Sequence, residues 1–256
     1  MSWAAAMRTA PGLHADWIVP DWPAPARVRA FVTTRSGGVS EGAYATMNLG
    51  TSSGDDARLV ARNREIVREV LPAAPRWMAQ VHGISVLDAD AWTADGVPTA
   101  DAAVTESANR VCAVLTADCM PLLLCDADGR RVAIAHAGWR GLAAGVVENA
   151  VDALCANPAK VLAWMGPAIG PRAFEVGAEV REAFLAKDAR ADAAFATKKP
   201  GKYLADLYAL ARQRLAALGV TRVSGGDFCT YHEPARFFSY RREKRSGRMG
   251  AFIWMV

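Results

Sequence analysis

The amino-acid sequence predicts an α/β (α+β) single domain, a mixed β-sheet flanked by helices. Three observations lead there. Short apolar runs bounded by turn residues recur between Cys112 and Ala137, the signature of buried strands. Stretches with helical spacing lie between and after them, so hairpins and helical crossovers share one sheet. The chain also shows no internal repeat and no linker between halves, and its 256 residues suit one large domain.

The elements follow in order. Residues 1–26 are rich in Pro and Ala and read as an irregular lead-in ending at Asp21-Trp22-Pro23-Ala24-Pro25; residues 27–256 form the single domain. Val28 to Thr34 reads as a strand, followed by a glycine turn, Arg35-Ser36-Gly37-Gly38, and a loop at Ala45 to Gly50. Asp55-Asp56 precede a helix over Arg58 to Leu71, where Leu59, Val60, Ile66, Val67 and Val70 keep helical spacing and Pro72 ends it. Arg76 to Val81 and Ile84 to Leu87 are strand-like around His82-Gly83, and residues 88–101 read as a polar loop.

The stretch from Cys112 to Leu142 carries the most chemistry. Polar residues interrupt its apolar runs at Thr116-Ala117-Asp118-Cys119 and at His136-Ala137-Gly138-Trp139-Arg140-Gly141. Asp128-Gly129 is the strongest two-residue hairpin signal in the chain, because a type I′ turn needs φ > 0 at both central positions. That turn sets Pro121 opposite His136, and period-two alternation then puts Cys119, Pro121 and His136 on one face. Cys119 becomes the diagonal neighbour of His136 at roughly 7–8 Å between backbones.

Beyond it, one helix is expected from about Trp139 or Arg140 to Leu154, and a buried strand from Val161 to Met165 that ends in a Gly/Pro loop. Gly177 to Ala186 and Tyr203 to Leu218 are helical by period. Thr221 to Gly225 and Ala251 to Val256 read as strands.

Composition narrows the function classes. With 52% hydrophobic and 22% charged residues the chain buries a substantial core. The net charge is +4, and basic residues cluster only late, at Arg241-Arg242-Glu243-Lys244-Arg245. A nucleic-acid binder would show a broader basic face, so no nucleic-acid partner is expected. The five cysteines (Cys112, Cys119, Cys125, Cys155, Cys229) are odd in number and contain no C-x-x-C pair. They argue for a reducing compartment rather than a disulfide framework. The first residues lack a basic region followed by an apolar segment, and no run approaches ~18 apolar residues, so no membrane partner and a cytoplasmic location are expected.

Only four histidines exist: His14, His82, His136 and His232. Histidine is a proton carrier and metal ligand, but a lone one is more often structural. His82, Cys119 and His136 would suit Zn²⁺ with three protein ligands and an open fourth position. The hairpin joins two of them and leaves His82 unplaced. Cys112 and Cys125 sit inside apolar runs and read as packing residues. Arg140, at the expected start of a helix, is either an anion contact or one half of a structural ion pair. Arg35, Asn48, Arg62 and Arg241, judged singly, read as surface or structural residues. Glu175 is either a partly buried carboxylate with a raised pKa and acid–base use or an exposed strand residue.

Taken together these segments resemble a known family. Gln80-Val81-His82-Gly83, Thr116-Ala117-Asp118-Cys119-Met120-Pro121, His136-Ala137-Gly138-Trp139-Arg140-Gly141 and Gly166-Pro167-Ala168-Ile169-Gly170 stand in its order. Phe174-Glu175-Val176-Gly177, Phe238-Ser239-Tyr240-Arg241-Arg242 and Gly247-Arg248-Met249 complete the set. From Phe31 onward the chain resembles the YfiH family, also described as laccase-domain or purine nucleoside phosphorylase proteins.

The resemblance implies a YfiH-like α/β fold and a zinc site at His82, Cys119 and His136. It implies phosphorolysis of adenosine, inosine and methylthioadenosine to the free base and ribose 1-phosphate, with adenosine deamination as well. The expected partners are purine nucleosides and phosphate, acting on a monomer or small homo-oligomer. Beside the ligands, Asp118 is a candidate proton shuttle or orienter, and Arg140 and Glu175 are further catalytic candidates. Arg35, Asn48 and Arg241 are the candidates for holding substrate or phosphate. One departure is His232, which follows Thr230-Tyr231 where the family often has cysteine.

An older label for the family is polyphenol oxidase, and some members are linked to peptidoglycan editing. A multicopper oxidase would need roughly ten histidines, and four are present; a single copper in the three-ligand site stays open. Two other readings also stay open: a cysteine hydrolase acting on cell-wall peptides, with Cys119 as nucleophile and His136 as base, and a non-enzymatic, zinc-stabilised binding protein.

Overall fold

A computed structural model describes residues 12–93, 95–154 and 157–256. The first eleven residues of the expected lead-in, and Cys155, lie outside the described residues. The rest of the lead-in is irregular but packed: Trp17 and Trp22 are buried, and Trp17 stacks on Phe31 with ring centroids 5.3 Å apart.

The chain begins with β1 (Val28–Val32), α1 (Ala57–Arg68), β2 (Val86–Asp88), β3 (Ala102–Thr105), β4 (Cys112–Thr116), β5 (Met120–Asp126) and β6 (Val132–Ala137). It continues with α2 (Trp139–Ala144), α3 (Val146–Ala153), β7 (Val161–Met165), β8 (Glu175–Gly177), α4 (Ala178–Leu185) and β9 (Phe195–Lys199). The last elements are β10 (Lys202–Ala205), α5 (Leu207–Ala217), β11 (Arg222–Gly225), α6 (Tyr240–Glu243) and β12 (Met249–Met255).

Six strands form the main sheet in the order β11-β7-β5-β6-β3-β2. The pairs β2/β3 and β11/β7 are parallel and the rest antiparallel, so the sheet is mixed. A second sheet, β1-β12-β4, and a third, β8-β10-β9, are antiparallel throughout.

Period-two alternation turns this topology into layers. Leu122 and Leu124 of β5 face α2, α3 and α5, in a core with Leu142, Val147, Val151, Leu210 and Leu215. Leu123 and Cys125 face the other way, toward Phe31, Val114, Phe252 and Trp254 of the β1-β12-β4 sheet. Strand β5 is buried along its whole length for that reason. A strand covered on both faces reads as a continuous apolar run rather than an alternating one.

The β5/β6 register is the expected one, with Pro121 opposite His136. The turn is not. Gly129 has φ +66°, but Asp128 does not adopt positive φ, and Asp126 closes a longer loop. Its Oδ1 accepts from the backbone N–H of Arg130 and Arg131 at 2.6 and 2.8 Å. A two-residue and a four-residue loop centred on the same bond give the same pairing, so the register survived the wrong turn type.

Other expectations need correction. The helix after Trp139 breaks at Gly145, whose φ of +122° no α-helix adopts, giving α2 and α3. Tyr203 to Ala205 belongs to β10; α5 starts only after Asp206, whose side chain caps it by accepting from the Ala209 N–H. Around His82 there are isolated bridges at Arg76 and Ala79 rather than a strand. Strand β3, within the stretch after the polar loop, was not expected. Helix α1 starts as expected, with Asp56 accepting from the Arg58 N–H, and ends at Arg68. Among the described residues no helix is long and apolar enough to cross a membrane.

Candidate metal centre and its pocket

The layers bring three side chains together. His136 lies near the end of β6, Cys119 immediately precedes β5, and His82 sits on a bend with φ +60°. Their ligand atoms all lie within 4.8 Å of one another. Cys119 Sγ is 3.7 Å from His82 Nε2. A tetrahedral zinc with ordinary bond lengths holds a sulfur and a nitrogen ligand about 3.6 Å apart, so the donor set fits such an ion. Gly138 makes the approach possible: a Cβ there would stand 2.8 Å from Cys119 Sγ and 2.9 Å from His82 Cδ2.

A residue that sequence reasoning passed over holds the cluster. Asp101 is fully buried and accepts four hydrogen bonds. Its Oδ1 takes the His136 Nδ1 at 2.8 Å and the His82 N–H at 2.9 Å. Its Oδ2 takes the N–H groups of Gly83 at 2.7 Å and Val81 at 3.1 Å. One carboxylate thus fixes the imidazole of His136, leaving Nε2 toward the cluster, and also fixes the left-handed turn that presents His82. Carboxylate–histidine pairing of this kind orients metal ligands and raises their basicity. The only sequence signal was an Asp at the end of a polar loop.

The electrostatics favour a thiolate. Burial opposes it, but the imidazoles of His136 and His82 outweigh that cost and hold the Cys119 thiol down at about 6. Burial likewise opposes a charged His136, while Cys119 and Asp101 raise it to about 9. In contrast, burial pushes the thiols of Cys112 and Cys125 up to about 12, in keeping with their role as packing residues.

The cluster opens into a cavity of about 880 Å³. Trp77, Trp139, Phe174 and Tyr240 line it, together with the guanidinium groups of Arg64, Arg140, Arg241 and Arg248. Arg140 lies over the Trp139 ring at 4.5 Å and Arg241 over the Phe174 ring at 5.1 Å. Asp118, at φ +89°, also lines the cavity, but both of its oxygens are taken. Oδ1 accepts from Thr230 Oγ1 at 2.6 Å and Oδ2 from the Arg241 N–H at 2.7 Å. It acts as an anchor between Cys119 and the C-terminal segment.

Several candidates fall outside the pocket. Arg35 donates to the carbonyls of Ala45 and Pro234 and pairs with Glu243 at 3.5 Å. Asn48 is buried beneath the pocket floor: its Oδ1 accepts from the N–H groups of Gly50 and Arg248, and its Nδ2 donates to Ser53 and Asp55. Arg62 is exposed and pairs with Glu65 at 3.1 Å. Of the two readings of Glu175, the structure favours the strand residue turned outward, on β8. Its carboxylate pairs with Lys198 at 2.7 Å, and that hydrogen bond holds its pKa below the ordinary value rather than above it. His232 contacts Cys229, with Nδ1 3.3 Å from Sγ, away from the three-ligand cluster.

Comparison with known proteins gives the family. A family model described as multi-copper polyphenol oxidoreductase laccase matches residues 29–256. The chain is 54% identical to a protein of Pseudomonas aeruginosa named purine nucleoside phosphorylase, over 93% of this chain and 98% of that one. It is 53% identical to the purine nucleoside phosphorylase YfiH of Escherichia coli, with the same coverage. Among solved structures, a Neisseria meningitidis protein superposes with a TM-score of 0.90 at 48% identity, covering 94% of this chain and 99% of that one. YlmD from Geobacillus stearothermophilus superposes with a TM-score of 0.83 at 30% identity, covering 93% and 96%. The chain belongs to the YfiH family of laccase-domain proteins.

Proposed function

We propose that this protein is a zinc-dependent purine nucleoside phosphorylase that also deaminates adenosine, working at the His82–Cys119–His136 cluster. One observation carries the reading: three ligands, the two histidines among them held by a buried carboxylate, face a cavity walled by aromatic rings and guanidinium groups. The names of the relatives supply the substrate class. Adenosine, inosine and methylthioadenosine are the expected nucleosides.

His82, Cys119 and His136 would hold the ion, and a bound zinc supplies Lewis acidity at neutral pH. The chain's own residues do the rest. Trp77, Phe174 and Tyr240 offer faces against which a purine stacks. Arg140 and Arg241 bring positive charge toward the site where phosphate displaces the base and negative charge gathers on the leaving purine. Asp118, with both oxygens held, positions Cys119 and Arg241 rather than carrying a proton. Copper chemistry of the multicopper kind needs more histidine than the four residues present.

The test is an assay of purified, metal-quantified protein with adenosine and inosine, with and without phosphate, products followed by chromatography. Phosphate-dependent base release supports phosphorolysis, and inosine formed from adenosine supports deamination. Neither product at one zinc per chain refutes the reading.

A second reading has its own observation. Without metal, Cys119, His136 and Asp101 stand in the order nucleophile, base and orienting carboxylate of a cysteine hydrolase. Iodoacetamide separates the two. Labelling of Cys119 only after chelation, with nucleoside turnover lost at the same time, favours the metal enzyme.

A further inference from the structure

The pocket holds more positive charge than its walls balance. Among the described residues, none of the guanidinium groups of Arg64, Arg140, Arg241 and Arg248 has a carboxylate within ion-pair distance. The four differ in exposure and in the backbone carbonyls they already hold. Arg140 is exposed and stacked on Trp139. Arg241 spends one amine on the Glu175 carbonyl at 2.6 Å, and Arg248 spends one on the Ser246 and Gly247 carbonyls at 2.8 and 3.0 Å.

Arg64 and Arg248 are partly buried and flank a single residue, Leu49. Arg64 donates through Nε to the Leu49 carbonyl at 3.0 Å, and the Leu49 N–H donates to the Arg248 carbonyl at 3.1 Å. The Arg248 stem crosses directly over Gly50, where a Cβ would come within 2.6 Å of its Cγ. Asn48 pins both sides, accepting from the N–H groups of Gly50 and Arg248 at 2.9 Å each. The Arg64 guanidinium lies 4.2 Å over the Trp77 ring. It uses Nε on the backbone, and among the described residues its two terminal amines have no protein acceptor. Thr51 and Ser52 continue the same wall of the cavity.

Burying cationic groups without an anionic partner costs stability, and burial pulls the pKa of both arginines down from the ordinary value. Arg64 with two uncommitted amines and Arg248 with one match an anion with oxygens on several sides, which a tetrahedral dianion offers and a chloride does not.

We propose that Arg64 and Arg248, with the Gly50–Ser52 turn, form the subsite for inorganic phosphate, on the wall of the pocket beside Cys119. The assignment rests on the phosphorylase reading and moves the phosphate away from Arg35, Asn48 and Arg241. It also explains Asn48, whose side chain holds the Gly50 turn and the Arg248 segment together instead of touching substrate.

The experiment is calorimetric titration of inorganic phosphate into zinc-loaded protein at constant ionic strength, with steady-state kinetics in parallel. Arg64→Ala and Arg248→Ala are each expected to weaken phosphate binding at least about tenfold, the scale of one lost charge-assisted contact. The KM for phosphate should rise similarly while the KM for inosine stays within about threefold. Arg62→Ala, on the exposed face of α1, should match the unmodified protein. Phosphate binding unchanged in both arginine variants overturns the subsite and leaves the phosphorylase reading standing. If the unmodified protein neither binds phosphate nor releases base, both fail together. Should Arg248→Ala not fold, Arg64→Ala carries the test alone.

Discussion

Replacing Asp101 by Asn tests whether one buried carboxylate organises the centre. The change is nearly isosteric and removes the charge. In the native site the two oxygens accept two hydrogen bonds each, from His136 and His82 on one side and from Gly83 and Val81 on the other. An asparagine keeps one side as neutral bonds. On the other side its NH₂ faces two N–H donors and leaves them unsatisfied. Each hydrogen bond to a charged group contributes about 1.5–3 kcal/mol, and breaking a buried charged network costs about 3–5 kcal/mol. The loss should appear in two places: a lower urea midpoint for the metal-free protein, and zinc affinity reduced about 10–100-fold in competition with a chelator. Cobalt substitution adds a signature independent of activity, because the thiolate-to-cobalt absorption should weaken or shift when His136 loses its anchor. A variant that keeps the native zinc affinity and urea midpoint would refute the reasoning.

Three more predictions follow from named contacts. Gly138→Ala puts a methyl 2.8 Å from Cys119 Sγ; bound zinc per chain, measured by mass spectrometry of the metal, should fall well below one while the circular dichroism spectrum is retained. Glu175→Gln should leave nucleoside turnover within about twofold, since its carboxylate is spent on Lys198 and an exposed pair contributes little; a loss of a hundredfold would restore it as a catalytic candidate. The third concerns pH. Burial opposes charge on Asp90, but donors from Glu106, Thr105 and Ser107 hold its pKa below the ordinary value. A depressed pKa gives stability that is present above the unfolded value of about 3.9 and lost as pH falls through the folded one. Asp90→Asn should therefore destabilise the protein at pH 7, and the gap to the unmodified chain should narrow on acidification below about pH 4; a gap of constant size in denaturation across that range contradicts the assignment.

Much of the site was legible because it depends on local rules. The β5/β6 register follows from where the loop is centred, so Cys119 and His136 could be paired from sequence with the wrong turn type. His82 could not be placed, since what puts it there is Asp101, reached through a short strand, Ala102–Thr105, with little apolar signal of its own. The helix expected from Tyr203 shows the opposite failure. Leu204, Leu207, Ala211 and Leu215 keep a helical period straight across a strand, and only the cap at Asp206 marks the boundary. Arg64 and Arg248 gave no signal because their roles come from meeting at Leu49–Gly50, 184 positions apart in sequence. Glu175 misled because two apolar neighbours suggest burial, while the strand turns its carboxylate out to a lysine on β9.

The place of β12 bears on how the chain reaches this structure. It is the middle strand of its sheet, paired with β1 on one side and β4 on the other. Val28 therefore waits for Met255 before it finds its partner. On a ribosome, β5 and β6 and the three ligands they gather are complete more than a hundred residues before that strand emerges. Until then the apolar faces of β1 and β4 have nothing between them, the kind of long-range pairing that folds slowly and exposes surface to aggregation. Arg241 and Arg248 arrive in the same final stretch, so the ligand set precedes the walls of its pocket. Synthesis halted a few residues early should yield a chain with all three ligands and no closed second sheet.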